Sequence, residues 1–234
     1  MFIFDDLAAK VDEINNKYEA KSLKIDLNQK FPENPNQFIF SDDKAFELGA
    51  NPYKGIALDL LLDLPLEDEI LLLGEDLRDI CRNKNYARIT LASVDKDQIG
   101  SGNDLYNSIR KFDYVKYHLS YEGVMIRESV FNKKESLLVS KSALKKGDLD
   151  FSKLGSYIIA KHKELPFIKN VKVIFVNLDD YDYEGIAELL RKCESITKAL
   201  DHLTNKVKMD CHSCAVQVIC NEVEKKVKED FKKD

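Results

Sequence analysis

The 234-residue sequence has no tryptophan, and only five prolines, nine glycines, five cysteines, four histidines and three methionines. So little proline and glycine excludes a collagen-like or low-complexity chain. No apolar run approaches the roughly 18–20 residues needed to cross a bilayer. The longest, over 60–66, is interrupted by Asp63. A strong excess of one charge is also missing, since 36 basic residues against 41 acidic ones leave a net charge of −5. A mildly acidic chain exerts no general pull on nucleic acid or on an anionic membrane, so neither is an expected partner. There is no basic segment followed by a long apolar one at the start. The apolar residues 2–4 run directly into Asp5 and Asp6, which predicts no signal peptide and a cytoplasmic location. In that compartment the cysteines are expected as thiols or metal ligands, and their odd number agrees.

What is present is ample for a hydrophobic core: 44% of residues are hydrophobic and 33% charged. Apolar residues at helical spacing predict helices over 4–18, 104–117, 151–163 and 183–203, with a short one over 76–81. Alternating or compact apolar runs predict strands over 23–27, 38–40, 70–73, 88–94, 137–139 and 171–176. Pro32, Pro35 and three asparagines mark 28–37 as a loop, and Gly49, Asn51, Pro52 and Gly55 mark another irregular stretch. A charged helix is expected over 221–233. The fold class is α+β (mixed α/β). Short strands alternate with helices, and the chain closes with a long amphipathic helix, a Cys-containing loop and a C-terminal helix. A division near Gly100 and Gly102 would give an N-terminal α+β subdomain over 1–100 and a C-terminal one over 101–234 that carries the cysteines.

The constellation with a chemical signature is Cys211-His212-Ser213-Cys214, followed by Cys220. Two thiolates separated by two residues can grip one metal from a single turn, and a third is within loop reach. A zinc site takes four ligands and an iron–sulfur cluster four cysteines, so His212, His202 or a group from outside the chain would complete the set. The alternative is a set of ordinary thiols at a helix start, with Val216, Val218, Ile219 and Cys220 packing as core. A thioredoxin-type redox pair fits less well, because a long helix and a polar turn precede the motif instead of a strand.

Several segments resemble the acetyl-CoA synthase family, the catalytic subunit of carbon monoxide dehydrogenase/acetyl-CoA synthase. Glu122-Gly123-Val124-Met125 is similar to a Glu-Gly turn of that family. Val139-Ser140-Lys141, Ala143 and Lys146-Gly147 resemble its Val-Ser-Lys-x-Ala-x-x-Lys-Gly stretch. Ile159-Ala160-Lys161 with Lys163 and Pro166 resembles its Ala-Lys-x-Lys helix and following turn. Val171-Lys172-Val173 with Asp179-Asp180 resembles a strand and acidic turn, and Cys211-x-x-Cys214 falls where the family begins its nickel–iron–sulfur site. Upstream, Asp68-Glu69 and Gly74-Glu75-Asp76 are similar to a strand and Gly-Pro-Asp turn. The resemblance covers about residues 38–220.

The resemblance implies a cytoplasmic protein of anaerobic carbon monoxide and acetyl-CoA metabolism, an acyltransferase if it is an enzyme. Cys211, Cys214, Cys220 and His212 would hold an iron–sulfur cluster or, alternatively, zinc. It also implies a partner from the carbon monoxide dehydrogenase/acetyl-CoA synthase system, and coenzyme A bound near Arg127 and Lys141. The lysines 141, 145, 146, 161 and 163 would supply a basic region for its phosphates; the alternative is a solvated face. The family's fourth cluster cysteine and its Cys-Gly-Cys nickel clamp are missing from this sequence. Nickel chemistry by this chain alone is therefore not expected. Two other readings stay open, a non-enzymatic interaction module that kept the fold without the metal and one part of a split synthase. His118 and His162 are expected in surface or satisfied polar roles. Cys81 and Cys193 are expected as core thiols, and Asp179, Asp180 and Asp182 as a capping turn.

Overall fold

The computed structural model describes residues 3–40, 44–100, 103–129, 134–147, 149–205 and 217–230. It is a mixed α+β fold, with six α-helices and eight strands in two sheets among the described residues. The larger sheet contains β1 (Lys21–Leu23), β3 (Gly55–Leu62), β4 (Glu69–Leu73), β5 (Tyr86–Val94) and β8 (Ile168–Val176), in the order β1-β4-β8-β5-β3. Pairs β4–β8 and β3–β5 are parallel, and β5–β8 and β1–β4 antiparallel. The smaller sheet is antiparallel, ordered β2 (Ala45–Leu48), β7 (Glu135–Ser140), β6 (Val124–Glu128). Since β8 lies between β4 and β5, the larger sheet draws strands from both sides of residue 100.

All nine residues of β5 are buried, as expected of a strand flanked on both edges and covered on both faces. One face is packed by α4 (Phe151–Lys163). That helix starts where the Asp150 carboxylate accepts from the Lys153 backbone N–H at 2.7 Å. Its Phe151 stacks on Phe175 of β8, and Gly155 lies so close to Ile70 of β4 that a Cβ would sit 2.8 Å from the Ile70 side chain. The long α5 (Tyr183–Asn205) packs against β3, against α1 (Asp5–Asn15) and against α2 (Asn103–Tyr114). Its start is held by Asp182, which accepts from the Gly185 N–H at 2.9 Å, so the predicted acidic capping turn is observed. The last helix, α6 (Gln217–Asp230), packs on α5 and buries Val223.

The two sheets meet at β7. The carbonyl of Glu135 presses against Gly49 and Gly55, where any Cβ would overlap it, and Gly49 also has φ +81°. This close approach carries the Glu135 side chain over β5. A short helix, α3 (Lys141–Lys146), follows β7 directly and ends at Gly147 in the left-handed region, φ +75°.

Several expectations need correction. Residues 38–40 form no strand; Phe38 and Phe40 are 70% and 58% exposed on an irregular segment. Cys81 is exposed and is not a core thiol. The final helix begins four residues earlier than predicted, at Gln217. Among the described residues no helix is long and apolar enough to cross a membrane.

Candidate functional site

A cavity of about 220 Å³ lies between β3, α2 and α5. Successive inward positions of β3, namely Ala57, Asp59 and Leu61, form its floor, as the two-residue period of a strand requires. Ile109 and Phe112 of α2, Leu190 of α5 and Phe4 supply an apolar wall. Asp113, Lys116 and Glu128 form a charged wall, and Cys193 and Thr197 of α5 border both. Lys116 comes from a 3-10 turn, Val115–His118, which extends α2 and aims the lysine inward. Its side chain is only 11% exposed.

Under the floor lies a buried charge network. Arg88 of β5 is fully buried and binds Glu135 in a fork, with Nε–H and an Nη2–H donating at 3.0 and 2.8 Å. Its Nη1 donates to Asp59 and to Thr90 Oγ1. Burial raises the pKa of the Asp59 carboxyl, but Arg88 and then Lys116 pull it down further, to about 2. Asp59 is therefore ionised at the cavity floor. Burial raises the pKa of Glu135 despite the same guanidinium. Burial lowers the pKa of the Lys116 ammonium, but Asp59, Asp113 and Glu128 raise it more, so it stays charged. Its Nζ lies 2.8 Å from Asp113 and 3.2 Å from Glu128. Nearby, His162 is buried against Phe112 and donates Nδ1–H to the Ile158 carbonyl at 2.8 Å. Burial holds its pKa down at about 4, so the ring is neutral. The expected satisfied polar role of His162 is thus observed, and His118 is exposed.

A second pocket, about 400 Å³ and shallower, lies on the surface between α3 and the irregular segment before β2. Lys44, Lys141 and Lys145 line it, with Phe38 and Phe40 whose ring centroids are 5.1 Å apart. The Lys141 N–H donates to the Lys44 carbonyl at 2.9 Å, which ties the two sides together. Lys141 Nζ lies 4.7 Å from the centre of the Phe46 ring. Among the described residues these three lysines form no ion pair.

Arg127 does not line that pocket. It stands on β6, with Nη2 3.4 Å from the Ile39 carbonyl and Nη1 3.9 Å from Glu47. The predicted basic region also divides. Lys161 pairs with Glu33 and Glu164, and Lys163 pairs with Asp68. Cys211, His212 and Cys214 lie outside the described residues. Cys220 is half-buried on the first turn of α6, and His202 stands in the last turn of α5. Among the described residues no group of three His, Cys, Asp or Glu side chains has a metal-holding arrangement.

Sequence reading did not identify Asp59, Arg88, Lys116, Glu128 or Glu135 as a group. The available signal was a charge set between apolar neighbours: Leu58-Asp59-Leu60 and Ala87-Arg88-Ile89. No protein-family model matches the chain, and comparison with curated proteins gives no match.

Proposed function

We propose that the chain is an acetyl-CoA synthase-like protein that binds coenzyme A at the surface pocket beside Lys141 and a soft metal centre through its carboxyl-terminal thiols. The observation that carries this reading is the pocket itself. It combines three ammonium groups that form no ion pair among the described residues with two exposed phenylalanine rings, which suits a ligand bearing phosphates and an adenine face. Lys141 belongs to the Val-Ser-Lys stretch that carries the resemblance.

The donor set fits the metal. Three thiolates and one imidazole, from Cys211, Cys214, Cys220 and His212, would complete a zinc site of the Cys3His type; an iron–sulfur cluster would take the three thiolates with His212 or an outside group in place of its usual fourth cysteine.

A calorimetric titration of coenzyme A, dephospho-coenzyme A and pantetheine into the full chain tests the pocket. Coenzyme A should bind more tightly than dephospho-coenzyme A, and pantetheine weakest. Lys141→Ala combined with Lys145→Ala should weaken coenzyme A by about tenfold or more, as expected for the loss of two charge-assisted contacts. Equal affinity for all three ligands, or none for any, would remove this reading. The exposed Phe38 and Phe40 favour a second one, a non-enzymatic module that docks a partner from the carbon monoxide dehydrogenase system there. Absence of coenzyme A binding together with loss of that partner in a Phe38→Ser/Phe40→Ser variant would support it.

A further inference from the structure

We propose that the cavity between β3, α2 and α5 binds a small primary amine with a short apolar arm, whose ammonium takes the place now held by that of Lys116. This site is separate from the coenzyme A pocket and does not rest on that reading.

The structure already contains an ammonium in the seat. Lys116 Nζ is held by Asp113 at 2.8 Å and Glu128 at 3.2 Å, with the ionised Asp59 adding attraction from below. The carboxylates are therefore arranged for R–NH3+ chemistry, with Arg88 and the buried sheet fixing Asp59 from behind. Lys116 enters on a flexible four-carbon stem from a single 3-10 turn at the end of α2, so it can leave without disturbing the sheet. Space remains beside the seat. About 220 Å³ has room for roughly seven water volumes of ~30 Å³, enough for a butyl or benzyl group. One side of that space is apolar (Phe4, Leu61, Ile109, Phe112) and would take the arm. The lining as a whole has five carboxylates against three basic groups, an excess of two negative charges. That excess selects a cation over an anion. The ammonium already seated there and the apolar wall beside it make an organic cation the fitting class.

The test uses the full chain and benzylamine, with benzyl alcohol and benzoate as neutral and anionic controls of the same shape, followed by NMR or calorimetry. Benzylamine should bind saturably and the two controls should not. Lys116→Met empties the seat and should tighten benzylamine by about tenfold. Adding Glu128→Gln should reverse most of that gain. Benzyl alcohol binding as tightly as benzylamine would overturn the proposal, as would a Lys116→Met variant with no gain. If Lys116→Met does not fold, the wild-type chain decides. Benzylamine-induced shifts at Tyr106 and Thr197 that benzyl alcohol does not produce support the site, and their absence overturns it.

Discussion

Replacing Arg88 by Met is the most demanding perturbation of the interior. The guanidinium is fully buried, forks onto Glu135 at 3.0 and 2.8 Å and also holds Asp59. Removing it strands two carboxylates, one with no exposure and one 7% exposed. Breaking a buried ionic group by deleting one partner costs about 3–5 kcal/mol. That is a large share of the roughly 5–15 kcal/mol that holds a domain together. The stranded carboxylates also acquire folded pKa values above their unfolded ones. The folded variant then binds more protons than the unfolded chain, and its stability increases as pH falls from neutrality towards the unfolded carboxylate pKa of about 4. The slope approaches about 1.4 kcal/mol per pH unit for each proton. Replacing the whole group, Asp59→Leu/Arg88→Met/Glu135→Met, removes the charges together and should recover most of the loss. Urea unfolding followed by far-UV circular dichroism measures all three proteins; the chain has no tryptophan to serve as a fluorescence probe. An Arg88→Met loss below about 1 kcal/mol at neutral pH, or a triple variant as unstable as the single one, would refute the reasoning.

Two further outcomes follow from the same interior. His162 is held neutral, with its pKa at about 4 against an ordinary 6.5. The unfolded chain therefore takes up the additional proton between those values, and wild-type stability declines as pH falls through that window, by up to about 3 kcal/mol. In His162→Gln the corresponding slope of the urea midpoint between pH 6.5 and pH 4 should disappear; an unchanged slope assigns it elsewhere. The Tyr86 hydroxyl is buried with no hydrogen-bond partner among the described residues. Tyr86→Phe should leave stability unchanged or raise it by up to about 1–2 kcal/mol, and a clear loss in thermal unfolding would mean that the hydroxyl is bonded.

Much of the framework is legible from periodicity. The helix predicted over 151–163 is α4, the one over 183–203 is α5 within two residues, and the strand over 171–176 is the inner part of β8. These elements alternate or repeat cleanly because their apolar faces meet one core. The larger omissions have a common cause. β3 is hidden in sequence by Asp59, whereas the strand predicted over 88–94 is β5, and its periodicity gives no sign that Arg88 is buried against that aspartate. Their polarity is compensated by residues 29 and 47 positions apart, and that pairing is set by the sheets, not by local spacing. The third member, Glu135, stands at the start of β7, where the short pattern predicted only 137–139. Phe38 and Phe40 mislead in the opposite sense. Their alternation resembles a strand, but the segment packs no second apolar face and leaves the rings in solvent. The lysines of α3 were readable as a basic group, but their separation from Lys161, Lys163 and Arg127 depends on which face each element presents.

The resemblance to acetyl-CoA synthases is tested most directly by the metal content of the full chain expressed and purified without oxygen, because a nucleotide-sized pocket occurs on many folds and a thiolate centre at this position does not. Elemental analysis with an absorption spectrum should give about one equivalent of zinc, or the iron and colour of one cluster, lost when Cys211 and Cys214 are both changed to Ser. Less than about a tenth of an equivalent of iron, zinc or nickel in the wild-type chain would contradict it.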